Sequence, residues 1–265
     1  MVNPEQPQGA VAPVEALRAL HHDRAAGDPL ILPGPWDAAS ARVFEEAGFP
    51  ALATPSAGVA ASLGYEDGQT PADEMFAAVA RIVRAVSVPV SADIEAGYGM
   101  APKELVERLL ETGAVGCNLE DSEADPKAAP AGPGGHGYQD RVLKDARRQA
   151  DWLAEVRAAA GDRIVLNARI DTFVVKGVEN PVEEAIERAR LFVAAGADCV
   201  YPIGAPAEVL PRLRAEIEGP INVGAPPGGP TPKEWGELGA TRVTFGPGLQ
   251  KRAAAALREI ADTIV

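Results

Sequence analysis

The chain has 265 residues, 46% of them apolar, and 38 acidic against 25 basic side chains give it a net charge of −13. That length and composition can bury a large core, and one α/β domain of about 250 residues is the expectation. The acidic balance excludes a nucleic-acid groove or an anionic membrane face, both of which demand basic surface, but not a small anionic substrate held by a metal ion and one arginine.

Residues 1–13, rich in proline and glutamine, read as a flexible arm, with the catalytic domain following over 14–265. The first residues lack the charged and apolar stretches of a signal peptide, and no apolar run approaches the roughly 20 residues of a membrane span, so a soluble cytoplasmic protein is expected. Short apolar runs then alternate with longer amphipathic ones. Strands are predicted over 30–32, 51–54, 88–93, 115–120, 164–168, 199–202, 221–223 and 242–245, and spacing near 3.6 marks helices over 72–86, 102–111, 139–159, 182–195 and 206–217. Gly48, Gly113, Gly196 and Gly239 each fall between a helix and a strand, where a left-handed cap is wanted. Thr70-Pro71, Ala101-Pro102, Asn180-Pro181 and Thr231-Pro232 recur at helix starts, with Thr or Asn placed as N-caps. Eight strand–helix units predict a single (β/α)8 TIM barrel, with a doubly wound open sheet as the alternative. Cys117 and Cys199 fall inside predicted strands and read as small core residues. The loop at about 122–138 is dense in proline and glycine, lies on the active-site face of such a barrel, and reads as a lid or as a tolerated insertion.

Charge gathers at the strand ends. Asp93 and Glu95 alternate where a strand runs into the turn Gly97-Tyr98-Gly99, Glu120-Asp121 ends the next strand, and Arg169 ends the one after. Converging carboxylates with one arginine point to a hard metal ion and an anionic substrate. On the residues alone, solvated loop acids compete for Asp67, Asp93 and Glu95, and a salt bridge competes for Glu120. Arg169, if buried, needs a counter-charge, for which Asp171 and Glu120 are at hand. Lys127 and His136 are the loop's candidate proton donors, against a solvated reading for each.

In order and spacing, Ala60-Ala61-Ser62-Leu63-Gly64-Tyr65-Glu66-Asp67, the Asp93 to Gly99 turn, Leu119-Glu120-Asp121 and Asn167-Ala168-Arg169-Ile170-Asp171 resemble the isocitrate lyase and phosphoenolpyruvate mutase superfamily. The likeness runs from Pro33 to the last helix. It implies that Asp93 ligates Mg2+ (Mn2+ as a substitute) directly, while Asp67, Glu95 and Glu120 hold its waters. It implies that Arg169 binds the substrate carboxylate or the oxygen that becomes an enolate. Ser56 and Ala57 stand where the family offers backbone N–H groups to a carboxylate, and Trp36, Asp67, Gly97, Tyr98 and Asn167 would lie beside the substrate. The family also exchanges a C-terminal helix between subunits, which implies a dimer or tetramer with residues 248–264 as the swapped helix.

The departures bear on chemistry. Members that cleave isocitrate or methylisocitrate carry a loop cysteine that supplies a proton. Aligning on Gly135-His136 puts Gly134 there, which argues against those substrates. Members acting on carbon–phosphorus bonds carry a lysine where this chain has Ser122, and of their next motif only Pro126-Lys127 remains, displaced by one residue. Glu95 replaces the usual aspartate. The implied function is a magnesium-dependent lyase that breaks a C–C bond of a small 2-oxo or 2-hydroxy carboxylate through an enolate. A phosphonopyruvate-type mutase or hydrolase and a non-catalytic metabolite-binding barrel are the alternatives.

Overall fold

A computed structural model describes residues 11–22, 24–25, 27–127 and 140–264. Eight parallel strands form a barrel: β1 (Leu30–Ile31), β2 (Leu52–Ala53), β3 (Val90–Asp93), β4 (Gly116–Glu120), β7 (Val165–Ile170), β8 (Cys199–Pro202), β9 (Asn222–Gly224) and β10 (Arg242–Thr244). They pair as β2-β3-β4-β7-β8 and β1-β10-β9. A parallel bridge between Val200 and Ile221 joins one seam, and a 3.1 Å bond from Ala53 N to Pro33 O joins the other. Every predicted strand is present, because parallel strands buried on both faces read as apolar runs bounded by turns.

Register positions the chemistry. Asp93 pairs with Asn118, Asn118 with Asn167, and Glu120 with Arg169 across β3, β4 and β7. In-register residues of neighbouring parallel strands face the same way, so these polar side chains form rows inside the barrel. The opposite end is closed by α1 (Pro13–His21), whose Leu17 packs with Leu30, Leu32, Ala51, Ala53 and Val165. Gly116 leaves the room for it: a Cβ there would lie 3.0 Å from Leu17 Cδ2.

The helices α2 (Ala38–Glu46), α3 (Ser56–Leu63), α4 (Ala72–Ala85), α5 (Pro102–Glu111), α6 (Ala146–Ala160), α7 (Pro181–Ala194), α8 (Leu210–Glu216), α9 (Pro232–Glu237) and α10 (Gly248–Asp262) complete the fold. None is long and apolar enough to cross a membrane among the described residues. The four inter-element glycines all take positive φ.

Three sequence expectations need correction. The helix predicted from residue 139 begins at Ala146, because the Asp145 side chain caps it by accepting from Arg148 N at 2.9 Å. The residues ahead of it form β6 (Arg141–Leu143), antiparallel to β5 (Ser122–Ala124), so the loop springs from a two-stranded ribbon. Of the predicted Thr and Asn caps only Thr231 caps with its side chain, in a capping box with Glu234; α4 begins after Pro71, and Asn180 makes no side-chain cap bond. Pro13 belongs to α1 rather than to the arm; residues 1–10 of the arm and 128–138 of the lid-like loop lie outside the described residues.

Candidate active site at the C-terminal mouth of the barrel

A cavity of about 290 Å3 opens at the strands' C-terminal ends. Asp67 and Asp93 line it together with Arg169 and Lys251, and Asn118, Tyr201 and Thr244 also line it. Pro55, Ser56 and Ala57 line it at the start of α3. Proline precedes that helix and no side chain caps it, so its first N–H groups are left for an anion.

Arg169 is buried and held on two sides. Its Nε donates to Asp171 Oδ1 at 2.7 Å, and its Nη1 donates to Glu120 Oε1. Glu120 Oε2 accepts from Arg141 Nη2 at 2.7 Å, and Arg141 Nε donates to Ser122 Oγ at 2.9 Å. Ser122 Oγ in turn donates to Asp171 Oδ2. The ring Glu120–Arg169–Asp171–Ser122–Arg141 thus fixes the guanidinium that lines the cavity. Asp121 braces it from behind, accepting from Asp171 N at 2.8 Å and pairing with Arg188 at 3.1 Å. Buried ions of this kind hold geometry; breaking one partner out leaves an uncompensated charge.

Asp93 and Glu95 sit on an unusual turn. Glu95 and Tyr98 both adopt positive φ, 52° and 54°, as do Gly97 and Gly99, at 83° and 70°, on either side of Tyr98. Each non-glycine residue there costs about 1–3 kcal/mol, a strain that persists only where surrounding bonds dictate it. Here Asp93 Oδ1 accepts from Glu95 N at 3.2 Å, and Glu95 O accepts from Glu120 N at 2.9 Å. The turn is therefore tied to both neighbouring strands. Thr54 Oγ1 accepts from Asp93 N at 3.1 Å on the other side.

Electrostatically the acids are unbalanced. Burial, then the Asp93 charge, raises Asp67 above the usual carboxylate range. The same two causes, joined by Glu120 and Asp67, push Glu95 up to about 8. Glu95 Oε1 is buried with no hydrogen-bond partner. Repelling carboxylates, one with an orphaned oxygen, fit a hard cation. Among the described residues no three acidic, histidine or cysteine side chains are grouped to chelate one ion directly.

Among the predicted residues, Ser56, Ala57, Asp67, Asp93 and Arg169 line the cavity. Glu95 and Glu120 are not among the lining residues, but the Asp93 charge acts on both and the Asp67 charge on Glu95. Asn167 lies beneath, fully buried, donating from Nδ2 to Asn118 Oδ1 at 2.7 Å. Trp36, Gly97 and Tyr98 are not among the lining residues: Trp36 packs edge-on against Phe44, Gly97 backs onto Leu105 and Trp152, and Tyr98 packs on Phe76. Lys127 is exposed at the edge of the loop, and His136 lies outside the described residues. Lys251, Arg141 and Asn118 escaped the sequence reading. Lys251 sits on the last helix, where nothing in periodicity separates it from a surface lysine, and Arg141 was assigned to a helix that does not exist there.

Comparison with known proteins follows the same lines. The family described as phosphoenolpyruvate phosphomutase matches residues 17–265. A probable 2-methylisocitrate lyase of Corynebacterium glutamicum is 32% identical over 217 residues, which cover 80% of this chain and 67% of that protein. A crystal structure described as a putative phosphonomutase from Burkholderia cenocepacia superposes with a TM-score of 0.81 at 34% identity, covering 96% of this chain and 98% of that one. An oxaloacetate acetylhydrolase in complex with the product oxalate superposes with a TM-score of 0.77 at 26% identity, covering 93% and 84%.

Proposed function

Since this chain belongs to the phosphoenolpyruvate phosphomutase family, we propose that it is a magnesium-dependent lyase that breaks a C–C bond of a small 2-oxo or 2-hydroxy carboxylate through an enolate. The observation that carries the reading is the cavity in which a clamped Arg169 shares the lining with Asp67 and Asp93, together with the orphaned Glu95 oxygen. Asp93 would hold the ion directly, and Asp67, Glu95 and Glu120 would hold it through water; manganese would substitute. The bound ion supplies positive charge where negative charge develops on the substrate oxygen adjoining the carboxylate. Arg169 binds the substrate carboxylate or the same developing oxyanion, and its fixed guanidinium needs no reorganisation as charge appears. The N–H groups of Ser56 and Ala57 receive a carboxylate. Lys127 or His136 delivers the proton to the released carbon.

The phosphonomutase neighbour favours a second reading, carbon–phosphorus mutation or hydrolysis at the same site. Against it stands Ser122, which occupies the position of that branch's lysine and is committed to Asp171 and Arg141. Steady-state turnover of a panel of 2-oxo and 2-hydroxy acids, with magnesium and with chelator, tests the lyase. Phosphorus NMR on phosphonopyruvate isolates the other branch, and turnover of neither class would leave a binding-only barrel.

We also read α10 as the element shared between subunits in a cytoplasmic homo-oligomer. None of its residues is buried, while Leu257, Ile260 and Ile264 stand 66%, 55% and 79% exposed. Apolar side chains at that spacing form one face that a second copy would cover.

A further inference from the structure

Among the described residues Arg242 is the largest fully buried side chain, and no carboxylate pairs with it. Its Nη1 lies 3.3 Å from His21 Nε2, its Nη2 donates to Asn118 Oδ1 at 3.3 Å, and its Nε has no partner. A guanidinium without an anion in the barrel interior is costly. What it contributes is polarity, because arginine only donates. The Asn118 atom facing Arg242 must therefore be the amide oxygen. That oxygen also takes the 2.7 Å bond from Asn167 Nδ2, so both acceptor sites are occupied from below and from the side. The Asn118 amide nitrogen donates to no protein acceptor among the described residues, and Asn118 lines the cavity.

We propose that Asn118 is a specificity-determining residue, whose amide N–H group is turned permanently into the cavity to donate to an oxygen of the anionic substrate, and that Arg242 is the positioning residue that keeps it so turned. An amide free to flip would offer oxygen half the time and repel a carboxylate or enolate oxygen; the buried charge removes that choice. His21 extends the chain to the floor of the barrel. Its Nδ1 donates to Leu17 O at 2.7 Å, which leaves Nε2 as the acceptor for Arg242. The substrate class narrows accordingly. It presents an unprotonated oxygen to the floor of the cavity, as a carboxylate or carbonyl does and an amine or amide nitrogen does not.

The inference rests on the proposed function, and the test separates the two. Oxalate and oxamate, which differ by one oxygen exchanged for an amide nitrogen, are titrated calorimetrically into the magnesium-loaded full-length protein. The wild type is expected to prefer oxalate. Asn118→Asp keeps an oxygen for both Arg242 and Asn167 to donate to, so the fold is retained, but it turns an oxygen into the cavity. Oxalate affinity is expected to fall by about 10- to 100-fold, the range of a hydrogen bond to a charged group, with a smaller loss for oxamate. Arg242→Gln in the wild-type background is expected to narrow the oxalate preference several-fold. In the Asn118→Asp background it should leave the preference unchanged, because a carboxylate is the same either way round. An unchanged preference in Asn118→Asp overturns the role of Asn118, and equal shifts from Arg242→Gln in both backgrounds overturn the role of Arg242. If Arg242→Gln fails to fold, Asn118→Asp still decides the specificity claim. Oxalate binding that survives Arg169→Ala counts against the site as read above and leaves the Asn118 result standing; a wild type that binds no oxalate removes both.

Discussion

His21 should make this barrel sensitive to mild acid, and the size of the effect can be worked from its surroundings. The ring is buried beside Arg242, with His22 and Arg18 nearby. Burial first, then the Arg242 charge, lowers it from 6.5 to about 3, against the opposing bond to Leu17 O. A histidine whose folded value lies below its unfolded one contributes stability that is intact above pH 6.5 and drains away as pH falls toward 3, because only the unfolded chain takes up the proton. At about 1.4 kcal/mol per unit, a drop to pH 5 costs about 2 kcal/mol, and a drop to pH 3 about 5 kcal/mol. Urea unfolding at fixed ionic strength, from pH 8 to pH 5, measures the slope. His21→Gln keeps a donor for Leu17 and an acceptor for Arg242 but cannot titrate, so its stability should fall by about 2 kcal/mol less over that interval. Carboxylates contribute equally to both proteins and cancel. Parallel curves for the two would show that His21 is not held neutral against Arg242.

Asp93→Ala should abolish metal-dependent turnover while the thermal midpoint stays within a few degrees, since removing one of several repelling acids relieves as much as it costs; circular dichroism with an activity assay checks this. Gly224→Ala would place a Cβ 2.6 Å from the Tyr201 hydroxyl, which lines the cavity. Displacing that ring should lower kcat/KM by about 10- to 100-fold and stability by about 1–3 kcal/mol, read by kinetics and urea titration. Leu257→Lys with Ile260→Lys should shift the protein to monomers in size-exclusion chromatography with light scattering, because the charged pair cannot be covered by a second copy. Methylisocitrate should be cleaved about 10²–10⁴-fold more slowly than by a relative with the loop cysteine, since Gly134 carries no proton to give; side-by-side kinetics decide it.

The strands and the acids were legible because each has a local signature. An apolar run ending in Asp-x-Glu or Glu-Asp marks the C-terminal end of a buried strand, and there Asp93 and Glu120 end β3 and β4, with Glu95 in the turn that follows. The arginine ring was legible only as an open choice. Asp171 lies two residues from Arg169 and pairs with it, as the sequence allows, but Arg141 reaches Glu120 across 21 residues. What stayed hidden depends on register. Asn118, Asn167 and Arg242 are 49 and 124 residues apart in pairs that touch, and their bonds exist only because β4, β7 and β10 enclose one interior. His21 has no local signature at all; it is buried because α1 folds back under the strands.

Enolate formation itself is observable by proton NMR. In deuterated buffer with magnesium, the protein should exchange the C3 protons of pyruvate or of a close 2-oxo acid well above the spontaneous rate. The exchange should disappear with chelator and in Arg169→Ala, which removes the group that shares the oxyanion's charge. Exchange at the background rate for every 2-oxo acid that the protein binds, or exchange undiminished in Arg169→Ala, would contradict an enolate stabilised at this site.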